Sequence, residues 1–297
     1  MRAWKHASIV TGCWVVSVTL FVGCVDDSAP SEDPLSAPVE SAALFDPQLT
    51  GTITGQAVWT GGAPDIPPYI APVSPQVELQ GRPWQRWPNP NAPVIDAATG
   101  GVRNAVIYLR GIDPRRAKPW DQPPVVVEQR DYQFHVLQGA SDSGVGFVRQ
   151  GDGIEMVSRQ QAFHSLHADG AAYFTLAFPD ADQPLTRRLH QTGIVELSSA
   201  AGCFWMRAYV LVGDHPYLCR TDAEGRFTLS DVPAGEYEAV CWIPNWNERR
   251  HDRDSETTLI CRLFFQPPVE LAKPVKIRAG ESQNLSFTIS TIDFQLP

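Results

Sequence analysis

The sequence predicts an all-β fold of two stacked sandwiches, and three observations lead there. Short runs rich in Val, Ile, Tyr and Phe recur along the chain with turn residues between them. The 297 residues include 26 Pro and 22 Gly, which supply many turns, and 43 % hydrophobic residues, enough for sizeable cores. No window sustains apolar spacing of three and four, which excludes long helices, coiled coils and helical repeats.

At the amino terminus, Arg2 and Lys5 precede an apolar run from Ile9 to Val22. Its length suits a signal peptide and is short for a membrane span. The run closes on Phe21-Val22-Gly23-Cys24, which resembles a bacterial lipobox with Phe21 in place of the usual Leu. Residues 1–23 are therefore expected to be a signal peptide and Cys24 a lipid-bearing residue; an ordinary signal peptide with an incidental Cys is the competing reading. Residues 24–48 follow as a linker. It carries Asp26, Asp27, Glu32, Asp33, Glu40 and Asp46 without Lys or Arg, interleaved with Pro30, Pro34, Pro38 and Pro47. Such a stretch buries too little apolar area to offset its ordering entropy. The expectation is an exported protein, tethered by lipid to a bacterial membrane and facing the periplasm or cell surface.

The body divides by its patterning into residues 49–213 and 214–297. The first strand signal is Gly51 to Trp59, with Gly61-Gly62 as its turn. Residues 63–100 are Pro-rich and irregular, a wrapping segment in which Trp84 and Trp87 read as core cover. Strand-like runs follow at 102–109, 124–128, 132–138, 153–157, 171–178, 193–197 and 205–212. Past His215-Pro216 come runs at 217–221, 226–229 and 236–242, parted by Asp222-Ala223-Glu224-Gly225 and Val232-Pro233-Ala234-Gly235, both good turn chemistry. Runs at 259–265 and 283–290 complete the second sandwich. The charged stretch 245–258 reads as a solvated loop.

The chain has 24 Lys+Arg against 33 Asp+Glu, a net charge of −9. Without a basic stripe to neutralise phosphates, nucleic-acid binding is excluded. Cys13 leaves with the signal; Cys203, Cys219, Cys241 and Cys261 remain for an oxidising compartment, where four cysteines allow three pairings. Cys241–Cys261 is the preferred pair, because they flank the charged stretch and could clamp its base.

Several segments together resemble a bacterial exported family in which a cupredoxin-like Greek-key sandwich precedes a carboxypeptidase-regulatory-like (prealbumin-like, Ig-like) sandwich. They are Gly101-Val102-Arg103-Asn104-Ala105-Val106-Ile107-Tyr108-Leu109, Phe134-His135-Val136-Leu137, His164-Ser165-Leu166-His167-Ala168, Trp205-Met206-Arg207-Ala208-Tyr209-Val210 and Asp214-His215-Pro216-Tyr217. In the second half they are Asp222-Ala223-Glu224-Gly225-Arg226-Phe227 and Val232-Pro233-Ala234-Gly235-Glu236-Tyr237. The likeness spans about residues 50–245.

The resemblance implies a mononuclear copper pocket built from a thiolate, two imidazoles and a weak axial thioether. It puts His164 at the family's first His, and Cys203 and Met206 at its Cys and Met. Between them this chain reads Cys203-Phe204-Trp205-Met206, three residues shorter than the family loop and lacking its second His. His167, His135 and His190 are the substitutes weighed; on a strand His167 would face away from His164. The expected state is metal-free, with copper the ion a completed pocket would take; the alternative is a copper-binding electron-transfer protein using His164, Cys203, Met206 and a substitute imidazole.

Catalytic signatures are absent from the sequence: no Gly-x-Ser-x-Gly, no His-Glu-x-x-His and no phosphate-cradling glycine loop. Asp142 and Asp152 read as turn residues. A non-enzymatic role in binding or scaffolding follows, with the membrane as one partner and a protein or polysaccharide as another. Trp242 and Trp246, if exposed, would be the rings on which a sugar stacks.

Overall fold

The computed structural model describes residues 44–73 and 83–295. The signal peptide, Cys24 and the linker up to residue 43 lie outside the described residues. Asp46 caps a 3-10 turn at Pro47–Leu49, and from there the chain is strand after strand. Among the described residues, no helix is long and apolar enough to cross a membrane.

One sandwich faces a five-stranded sheet against another. The first sheet runs β10 (Val145–Arg149), β16 (Arg207–Gly213), β15 (Gly193–Ser199), β12 (His164–Gly170) and β13 (Phe174–Phe178). The second runs β14 (Leu185–Arg188), β11 (Gly153–Ser158), β7 (Val125–Arg130), β8 (Gln133–Gln138) and β9 (Ser141–Ser143). Pairing is antiparallel except between β10 and β16 and between β7 and β11. Alternate residues point inward, as the pleat requires. Val125 and Val127, Phe134 and Val136, Ile154 and Met156, and Leu166 and Ala168 thus meet Val195, Leu197, Val210 and Val212 in one core.

The other sandwich is not continuous in the chain. Its three-stranded sheet places β1 (Thr50–Trp59) between β18 (Arg226–Pro233) and β23 (Ser282–Ile289). The facing sheet runs β17 (Leu218–Arg220), β6 (Val106–Arg110), β19 (Gly235–Ile243) and β22 (Val269–Ile277). Strands from residues 50–59 and 106–110 thus share sheets with strands beyond 218, and strand pairing crosses the boundary expected at 213/214. The ten-stranded sandwich is an insertion between β6 and β17. Gly225 makes a close approach: at φ +78 its carbonyl accepts from the Ala57 N–H, and a Cβ there would stand 2.2 Å from the Ala57 oxygen.

A third cluster joins the two sandwiches. Val145, Phe147, Tyr209 and Leu211, on the outer face of the inserted sandwich, pack on Val106, Leu218 and Trp242. Strand β16 is buried along its whole length for this reason, which explains the unbroken apolar run Ala208–Val212.

Three short hairpins complete the body: β2 (Tyr69–Pro72) with β3 (Trp84–Trp87), β4 (Val94–Ile95) with β5 (Val102–Arg103), and β20 (Glu248–Arg253) with β21 (Ile260–Phe265). Two expectations are corrected here. The wrapping segment 63–100 contains strands, and the charged stretch 245–258 contains β20. Leu263 anchors the β20–β21 pair in the inserted sandwich's core. The buried Arg207 guanidinium donates to the Leu263 carbonyl at 2.9 Å, pairs with Glu196 and stacks on Phe265. With one face anchored, the other is free to carry charge, so composition hides the strand.

The expected Cys241–Cys261 bridge is not formed. Cys203, Cys219, Cys241 and Cys261 are all free thiols. Cys241 points from β19 into the second core, whereas Cys261 sits on the hairpin with its thiol against the Asp252 carbonyl.

Candidate functional site

The end of the inserted sandwich nearest the loop 200–206 gathers the residues singled out by sequence. His164 opens β12 with its ring inward, 1 % exposed, and neither ring nitrogen has a hydrogen-bond partner. Burial pulls its pKa below the ordinary imidazole value. Cys203 and Met206 belong to the same core. The Met206 N–H donates to the Cys203 carbonyl at 2.9 Å, so the shortened loop closes as a tight turn. Burial pushes the Cys203 thiol up to about 12, against a smaller opposing pull from a hydrogen bond to Ser199.

Sequence reasoning missed the aromatic group beside them. Trp205 lies flat on Trp87, with centroids 4.3 Å apart and planes 10° from parallel. Its indole N–H donates to the Tyr132 carbonyl at 2.9 Å. Tyr132 and Asp131 form the two-residue turn between β7 and β8, both with positive φ, 54° and 51°. A tyrosine is costly in that conformation, and the surroundings hold it there. Its N–H donates to the Gln160 side chain at 3.0 Å, while its ring lies 5.6 Å from His164 and meets Trp87 edge-on. Gln129, inward on β7, is fully buried and neither end of its amide has a partner. The alternation of Val125, Val127 and Gln129 already placed that side chain inside; the Trp87–Trp205 stack is tertiary and has no local signal.

The other imidazoles sit elsewhere. His135 bonds Asp142 at 3.1 Å beside Arg130. His167 lies on the opposite face of β12 from His164, against Thr175 and Tyr173. His190 is exposed, His215 accepts from the Tyr217 N–H, and His251 pairs with Glu248. Among the described residues, no group of three or more His, Cys, Asp or Glu is placed to hold a metal ion. A thiolate–diimidazole donor set needs a second imidazole beside His164, and the ring at the loop is the indole of Trp205. The residues present therefore do not complete that set.

Trp242 is 1 % exposed and Trp246 packs on Trp59 and Phe294, so neither offers a face to a sugar.

The sequence matches no protein-family model, and no curated protein matches it. Among solved structures it is similar to a reduced amicyanin variant, at 15 % identity over 33 % of this chain and 96 % of that one, TM-score 0.25. A copper(I) amicyanin variant matches at 15 % identity over 36 % and 98 %, TM-score 0.25. The copper-containing nitrite reductase of Thermus scotoductus matches at 13 % identity over 35 % of this chain and 25 % of that one, TM-score 0.26.

Proposed function

We propose that the chain is an exported, lipid-anchored binding protein without enzymatic activity, in which a cupredoxin-like sandwich holds no copper and is inserted into a prealbumin-like one. In this reading, acyl chains on Cys24 hold the protein to a membrane, and the acidic linker gives the folded body reach. Multiple acyl chains, at about 0.8 kcal/mol per buried CH₂, anchor stably. The single observation that carries the metal-free reading is the Trp205 ring, stacked on Trp87 in a loop too short to bring in a second imidazole.

A second reading has a specific observation behind it. His164 has two unpartnered buried nitrogens, and Cys203 and Met206 are buried in the core of the same sandwich, the beginnings of a copper site. Metal analysis of the full chain, purified aerobically with copper supplied, separates the two. The proposal expects copper well below one per chain; one tightly held copper per chain overturns it. Cell fractionation tests the anchor: the parent should sediment with membranes and Cys24→Ala should become soluble. Equal partitioning of the two removes the lipid from the account.

A further inference from the structure

Beside the loop 200–206 lies a cleft of about 660 Å³, within the ~300–1,000 Å³ range of small-ligand pockets. It is lined by Trp84 and Ile70 of the β2–β3 hairpin, by Ala200–Gly202 and Phe204 of the loop, and by the β20–β21 turn. That turn contributes Arg253, Asp254, Glu256 and Thr257.

Trp84 is the observation that needs explaining. Among the described residues it is the one exposed tryptophan, at 56 %; Trp59, Trp87, Trp205, Trp242 and Trp246 are buried and Trp120 is half-buried. Ile70 beside it is 62 % exposed. A wide ring and a branched aliphatic held in water, in one cleft with Arg253, Asp254 and Glu256, make that cleft amphipathic. An indole face accepts the C–H face of a sugar ring, while carboxylates and a guanidinium match its hydroxyls. The order is fixed locally: Asp254 accepts from the N–H and hydroxyl of Thr257 at 2.8 Å, and Arg253 donates to the Thr258 carbonyl at 2.8 Å. Asp254 and Glu256 against the lone Arg253 leave that turn negative, which disfavours an acidic polymer.

We infer that this cleft binds a neutral oligosaccharide, with Trp84 as its stacking platform. The inference rests on the binding role proposed above and names the ligand class for it. It also moves the sugar site from Trp242 and Trp246, which are buried, to a hairpin outside the second sandwich.

The test titrates the full-length protein calorimetrically with cellohexaose, chitohexaose and maltohexaose. At least one should bind, and Trp84→Ala should weaken it by about tenfold or more, the equivalent of ~1.4 kcal/mol of lost stacking. Tyr173→Ala, which removes an exposed ring outside the cleft, should bind as the parent does. Trp84→Ala is a surface change, and an unchanged circular-dichroism melt verifies that it still folds. The inference is overturned if none of the three sugars binds, if Trp84→Ala binds as the parent does, or if the exposed face proves to be a self-association surface that ignores sugars. Copper content is read on the same preparation, so a failure of the metal-free reading and a failure of the sugar site remain distinct results.

Discussion

Replacing Trp205 with Ala removes the ring that covers one end of the inserted sandwich. The indole is 5 % exposed, stacks on Trp87 at 4.3 Å and holds the Tyr132 carbonyl at 2.9 Å. Truncating a buried tryptophan costs about 3–5 kcal/mol through lost transfer energy and the cavity left behind. Losing its hydrogen bond frees a backbone already held in a positive-φ turn, adding about 1 kcal/mol. For a body of this size each kcal/mol lowers Tm by roughly 2–4 °C, so a drop on the order of 10 °C is expected. Trp205→Phe keeps most of the stack and loses only the N–H, so about 1–2 kcal/mol should go. Urea unfolding followed by far-UV circular dichroism measures both. An Ala variant within about 1 kcal/mol of the parent would refute the packing argument, because a void or a flexible loop would then be tolerated where a tight stack is described. Equal losses for Phe and Ala would assign the effect to the hydrogen bond alone.

Three further outcomes follow from the same geometry. Gln129 is buried with an unpartnered amide, so Gln129→Met should be neutral or stabilising by about 1 kcal/mol in the same urea assay; a loss of several kcal/mol would mean the amide is served by bound water or a ligand. Burial lowers the pKa of His164, and also of His167 and His215. The unfolded chain therefore takes up protons first as pH falls below about 6.5, and stability present at pH 7.5 declines toward pH 5. His164→Phe should flatten that decline, and an unchanged slope would show that His164 is protonated in the folded state. Burial pushes the thiols of Cys203, Cys219 and Cys241 up to about 12, whereas Cys261 lines an open cleft. In the native body an aromatic disulfide reagent should label Cys261 first and Cys203 only on unfolding, as mapped by mass spectrometry; early labelling of Cys203 contradicts its burial.

The all-β class was legible because strands such as β1, β15 and β16 carry dense β-branched and aromatic runs. Strand β22 escaped notice because Pro274 interrupts it, which an edge position beside β19 tolerates. Strand β12, His-Ser-Leu-His-Ala-Asp-Gly, shows only Leu166 and Ala168 as apolar inward residues, too few to stand out. The interrupted sandwich could not be read at all: Gln56 pairs with Arg226 across the whole insertion, and no local pattern records a partner so distant. At the candidate site, His164, Cys203 and Met206 were named through a family resemblance; all three are buried, with Cys203 and Met206 in one core. Of the two tryptophans read as core cover, Trp87 is buried and Trp84 is exposed; the stack of Trp87 on Trp205 and the place of Tyr132 were not found, since a stack between a hairpin and a loop depends on the tertiary arrangement rather than on spacing. The buried Cys241 was misread because flanking a charged stretch says nothing about which face of β19 a side chain takes.

Stepwise addition of copper(II) to the folded full-length protein, followed by visible absorption, asks most directly whether a one-imidazole pocket can work as a copper centre. No intense thiolate-to-copper band should appear at one equivalent, and Cys203→Ser should leave the spectra unchanged. A strong band that saturates at one copper per chain and vanishes in Cys203→Ser would make the pocket a copper centre after all.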